Sequence, residues 1–159
     1  MSYYEADLER AIVLALFVPL IISSGGNSGS QATSLVIRAL AVGELRLQHW
    51  ARVLSREIAT GFALGAMLGV IAFARIAFWP NREHLYGEHY GLVALTVSVS
   101  LIGVVAFGTT VGSMLPLILR RVGFDPATAS APFVATLVDV TGLVIYFTTA
   151  LVILRGTIL

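Results

Sequence analysis

Long apolar runs separated by short polar joints set the pattern of this chain. Apolar residues dominate four segments, about 8–43, 58–79, 91–119 and 127–154. A helix needs roughly 20 such residues to cross a bilayer, so each segment predicts a membrane-spanning helix. The second, IATGFALGAMLGVIAFARIAFW, is the most uniform. The other three exceed a straight perpendicular crossing and must tilt, kink or emerge from the membrane. Between the first two segments, Leu47, Trp50, Val53 and Leu54 recur at helical spacing among Arg46, Gln48, His49, Arg52 and Arg56. That pattern predicts a separate amphipathic helix over 44–56, lying on the inner membrane surface with its arginines toward anionic lipid. The expected fold is all-α: a polytopic membrane helix bundle of four spans plus a cytoplasmic interfacial amphipathic helix, with 1–159 forming a single transmembrane domain.

Composition points the same way. Hydrophobic residues make up 57% of the chain and charged residues 12%, against about 25% charged in soluble domains. The lipid bilayer is therefore the expected surrounding. All ten basic residues are arginine, and no block of them reads as a nucleic-acid patch, so no nucleic-acid partner is expected. The absence of cysteine removes disulfides, thiolate metal sites and cysteine nucleophiles.

Charge placement predicts orientation. Arg38, Arg46, Arg52 and Arg56 gather at the first joint, and Arg120 and Arg121 at the third. The middle joint, 80–91, has one arginine against Glu83 and Glu88. The positive-inside rule then puts 43–57 and 120–126 in the cytoplasm, with 80–91 and both chain ends outside. The start MSYYEADLER lacks the basic run of a signal peptide. An outside start without one is awkward to insert, so a further span upstream is expected. The location is a multi-pass protein of the cell (inner or plasma) membrane.

Small residues suggest where helices meet. Gly61, Gly65 and Gly69 stand four apart, a face that lets a neighbouring backbone approach closely. Gly103, Gly108 and Gly112 read as packing and flexing positions in the third span.

Two features resist a packing explanation. The first is SSGGNSGSQ, residues 23–31, inside the first apolar segment. Asn27 and Gln31 bring amides to membrane depth, where each costs roughly 2–7 kcal/mol to desolvate without partners. They share a face with Ser23, Ser30 and Ser34. Pro19 is expected to free the Ala15 carbonyl, and Gly25-Gly26 to loosen the helix further. A polar stripe at this depth is tolerated where it lines water or meets another such stripe. The segment is therefore expected to wall an aqueous path.

The second feature is Asp139, the only acidic residue within the four apolar cores. An intramembrane carboxylate is costly and needs a partner. No arginine lies deep enough, so Asp139 requires water, a proton or a cation. Pro132 is expected to free the Thr128 carbonyl, and Ala135, Thr136 and Gly142 lie within about a turn of the carboxylate. Such an oxygen-only environment suits hard cations such as Mg²⁺ and Ca²⁺. One aspartate per subunit suffices if two subunits face each other. The plainer alternative is a protonated Asp139 hydrogen-bonded to Thr136 or a neighbouring helix. His49, His84 and His89 all fall in joints without metal-ligand spacing. With no cysteine, no intramembrane histidine, no second acid and no phosphate-cradling motif, the sequence predicts no enzyme.

PLIISSGGNSGSQATSLVIRALAVGE (19–44) resembles the signature of the MgtE magnesium channels and their solute-carrier relatives: a proline, then GGNxGxQ, then RxLAxGE. APFVATLVDVTGLVIYF (131–147) is similar to that family's last span, with Ala135 where the first of two threonines usually stands. The resemblance covers essentially all 159 residues. It implies a homodimer with a cation path between subunits, lined by the first and fourth segments. Asp139 would coordinate hydrated Mg²⁺, the transported and bound ion, helped by backbone oxygen near Ala135. Ser30, Ser34 and Ala131 would face the pore, as would Asn27, Gln31 and Thr136 on the reading above. The family's membrane domain has five spans, and this chain begins at what resembles the second. The family's cytoplasmic regulatory modules are not among these residues. The rivals are a Na⁺- or proton-coupled divalent cation transporter and a non-conducting membrane scaffold.

Overall fold

The computed structural model describes residues 12–86 and 88–155. Among these the fold is helical, with no strand. Five α-helices follow in order: α1, Val18–Ala41; α2, Trp50–Ala77; α3, the short Arg82–Tyr86; α4, Tyr90–Arg121; and α5, Ala131–Leu154. Short 3-10 turns, Leu47–His49 and Pro126–Thr128, lead into α2 and α5. Four segments are long and apolar enough to cross a membrane: Ile12–Ala41, Leu47–Ala77, Tyr90–Arg121 and Ala131–Leu154. At 1.5 Å per residue α4 is about 48 Å long, well beyond a hydrocarbon core of about 30 Å.

Local chemistry explains the ends. Pro19 and Pro132 occupy the first turns of α1 and α5, where a missing N–H costs nothing. Pro132 therefore does not kink its span from within, whereas Pro19 lies inside the first span, Ile12–Ala41. A helical turn at 12–15 precedes α1 and breaks at residues 16–17. Gly43 and Gly123, with φ of +76° and +88°, stop α1 and α4 in the left-handed conformation that suits glycine. The Arg120 guanidinium donates to the Leu40 carbonyl at 3.0 Å, satisfying one acceptor at the end of α1.

The expected interfacial helix over 44–56 is not a separate element. Residues 44–46 are non-helical, 47–49 form the 3-10 turn, and Trp50–Arg56 are the first turns of α2 itself. Nothing between Trp50 and Thr60 breaks a helix: neither glycine nor proline occurs there. Once started, the helix runs on into the span.

Helix α4 is the hub, with α1, α2 and α5 all lying against it and α1 and α5 also against each other. Its sequence offers different stripes to different neighbours. Ser98, Ile102, Ala106 and Thr109 meet Gly69, Gly65 and Gly61 of α2. A Cβ built on Gly65 would lie 2.7 Å from the Ile102 Cα, so only glycine permits this approach. Val104, Gly108 and Gly112 meet Gly25 and Gly29 of α1, which runs parallel to α4. The packing role expected for the α2 glycines is the one observed.

A proline inside α4 is satisfied from outside it. Pro116 has no N–H, so the Gly112 carbonyl loses its helical partner. The Thr33 hydroxyl of α1, fully buried, lies 2.9 Å from that carbonyl and 2.8 Å from the Gly29 carbonyl of its own helix. One side chain thus compensates the break and ties the two helices at their closest approach.

Candidate functional site

The antiparallel contact between α1 and α5 gathers the polar residues singled out above. Gly26 is buried on α1 directly beneath the Asp139 carboxylate. A Cβ at Gly26 would lie 2.7 Å from Asp139 Oδ1 and 3.8 Å from the Ala135 Cβ. One turn along α1, the Ser30 hydroxyl donates to the Ala131 carbonyl at 3.1 Å. Pairing 26 with 139 and 135, and 30 with 131, gives the register of the seam. Val134 and Val138 lie beside it, packed against Gly25 and Gly29.

Asp139 makes no hydrogen bond or ion pair among the described residues, and is partly exposed. The Thr136 hydroxyl donates to the Pro132 carbonyl at 3.0 Å, not to Asp139. The simple alternative of an Asp139–Thr136 hydrogen bond is thus not the arrangement found. Ala135 lies inside regular helix, where its carbonyl takes an intrahelical bond. A carbonyl has two lone pairs, so one remains for ion-bound water.

The rest of the polar stripe flanks this seam. Ser23, Asn27, Gln31 and Ser34 are exposed on α1. Asn27 Nδ2 donates to Ser23 Oγ at 3.2 Å, and the Ser34 hydroxyl to the Ser30 carbonyl at 2.9 Å. These bonds stay within α1, and the side-chain oxygens of Asn27 and Gln31 accept no hydrogen bond among the described residues. Gly25 and Gly26 do not loosen α1, which is continuous across them. They are instead bare places on its surface, one for valines of α4 and α5 and one for the carboxylate. Sequence reasoning missed that use of Gly26, because the facing residue is set by the register of two helices over 100 residues apart in the chain.

Asp139 stands alone as a titratable group here. Among the described residues no cluster of three or more His, Cys, Asp or Glu gathers anywhere. The glutamates and histidines of 83–89 lie in α3 and the turn after it, away from α1 and α5 in the chain order. A single carboxylate with surrounding hydroxyls, amides and carbonyls suits a cation that keeps most of its water shell, as Mg²⁺ does.

Comparison with known proteins is consistent along the chain. The MgtE family model, described as a divalent cation transporter, matches residues 18–149. The magnesium transporter MgtE of Thermus thermophilus is 42% identical over 153 residues, covering 96% of this chain and 32% of that protein. Those of Enterococcus faecalis and Bacillus subtilis are 30% and 33% identical, covering 98% and 92% of this chain and 32% and 31% of theirs. The chain spans about a third of the length of the curated relatives it matches. With a match over most of its length and four helices fit to span a membrane, this chain belongs to the MgtE family of divalent cation transporters.

Proposed function

We propose that this chain forms one half of a Mg²⁺-conducting pore, two copies facing each other across the α1–α5 seam. One observation carries the reading: an unpaired, partly exposed carboxylate sits on the outside of a four-helix membrane unit, beside exposed Ser23, Asn27, Gln31, Ser34 and Thr136. Hydrocarbon cannot satisfy such a surface. A second copy presenting the same stripe encloses it and leaves room for water. Two facing Asp139 carboxylates repel each other when empty, and a divalent cation relieves that repulsion.

In this reading the ion crosses largely hydrated. Asp139 accepts hydrogen bonds from ion-bound water and supplies the charge. Ala135 offers its spare carbonyl lone pair, while Ser30, Asn27, Gln31 and Ser34 contact the shell along the path. Ala131 contributes backbone only, and the Ser30 hydroxyl already engages its carbonyl.

The test is Mg²⁺ entry into liposomes carrying the protein, read with an entrapped fluorescent indicator. Asp139→Asn keeps the shape and removes the charge. We expect Mg²⁺ binding to weaken at least tenfold, since hydrogen bonds to a charged group contribute about 1.5–3 kcal/mol, and flux to fall with it. Glu83→Gln, in α3, is the matched control and should change neither. Unaltered binding and flux in D139N would remove the basis of the proposal. Collapsing imposed Na⁺ and proton gradients should leave wild-type flux unchanged; strict dependence on either favours coupled transport.

A further inference from the structure

We propose that the groove between the first turn of α2 and the last turns of α4 binds an anionic phospholipid, acyl chain inward and phosphate at Arg121. This groove has a volume of about 570 Å³ and lies at the arginine-rich end of the bundle. Its polarity is graded along its length. Gln48, Trp50 and Arg121 stand with Leu47 at the arginine-rich end; Leu54, Met114 and Ile118 lie further along the helices. Leu54 is one turn along α2 from Trp50, about 6 Å, while Ile118 and Met114 are about 4.5 and 10.5 Å along α4 from Arg121. The gradient from cationic and amphipathic to purely apolar matches an amphiphile, not a free phosphate or a soluble peptide.

Charge complementarity selects the headgroup. Six arginines, at 38, 46, 52, 56, 120 and 121, cluster at this end against three carboxylates, Glu44, Glu57 and Asp125. Asp125 is engaged in accepting from the Ala127 N–H, and Arg120 in donating to the Leu40 carbonyl. Arg121 is exposed and makes no hydrogen bond or ion pair among the described residues. Trp50 is 51% exposed, with an indole N–H available at headgroup depth. Basic pockets between spans on the cytoplasmic side suit anionic headgroups. A second copy is not the occupant, because the polar seam that calls for one lies on α1 and α5. That exclusion rests on the pore reading; the groove and its charge do not.

Lipid-specific quenching tests it. The chain has two tryptophans, so Trp79→Phe leaves Trp50 as its only one. The protein is reconstituted with brominated-acyl phosphatidylglycerol or brominated-acyl phosphatidylcholine, diluted in the unbrominated pair. We expect Trp50 to be quenched at several-fold lower mole fraction of the anionic lipid. Arg121→Gln should cut that preference about fivefold, the weight of one arginine at a membrane surface. Arg38→Gln, at the same end but outside the groove, should retain it. Native mass spectrometry of the same proteins with the unbrominated lipids provides a second readout, with retained phosphatidylglycerol expected in wild type and R38Q and lost in R121Q. Equal quenching by both lipids, or equal losses in R38Q and R121Q, overturns the proposal. Quenching by neither also overturns it, since another protein segment then fills the groove.

Discussion

Replacing Gly26 with alanine should damage the ion site while sparing the fold. The new Cβ would fall 2.7 Å from Asp139 Oδ1 and 3.7 Å from its Cγ. Ordinary van der Waals contact begins at 3.4 Å, so the oxygen must retreat by about 0.7 Å. That oxygen is the far end of a side chain whose last torsion is broad. A rotation of about 30–40° accommodates the methyl at a cost of about 1 kcal/mol or less. Alanine inside a helix also gains about 1 kcal/mol over glycine. Thermal stability should therefore be unchanged or slightly raised. The ion meets a displaced carboxylate. Losing one charge-assisted hydrogen bond to its water costs about 1.5–3 kcal/mol, or tenfold and more in affinity. The assay is Mg²⁺ titration calorimetry beside a melting curve, followed by liposome flux. Wild-type Mg²⁺ affinity in a normally melting G26A protein would refute the reasoning, because the carboxylate position would then not matter.

Two further substitutions probe the packing that holds this seam. Gly112→Ala places a Cβ 2.9 Å from the Gly29 carbonyl carbon and 3.0 Å from its Cα, and backbone cannot swing aside; we expect a loss of about 1–3 kcal/mol in detergent unfolding, whereas Gly91→Ala, which meets nothing within 4 Å, should be neutral or stabilising. Thr33→Val keeps the shape but strips the Gly112 carbonyl of the hydroxyl that stands in for the missing N–H of Pro116; a loss of about 1–3 kcal/mol is expected, with Thr33→Ser restoring most of it, and equal stability of T33V and wild type would show that carbonyl to be satisfied otherwise.

The four spans and the exposed polar stripe of the first were legible because they depend on local properties. Length and apolarity decide whether a helix can cross a bilayer, and the amides of Asn27 and Gln31 announce themselves by their cost. The segment over 44–56 misled for the same reason. Its amphipathic pattern is real, but periodicity reports which face is apolar and not where a helix stops. With no breaker before Gly61, the pattern continued into α2.

The sequence by itself determined an all-helical membrane unit, its glycine-rich contact faces and one solitary acid among apolar residues. It also carried enough of the MgtE motifs to indicate the family. Tertiary structure alone decided that Asp139 rests on the bare backbone of Gly26, that the Ser30 hydroxyl reaches the Ala131 carbonyl, and that Thr33 repairs the gap left by Pro116. These pairings depend on the axial register and rotation of helices that are distant in the chain. A shift of one residue turns a helix by about 100° and replaces every partner, and no local pattern encodes that offset.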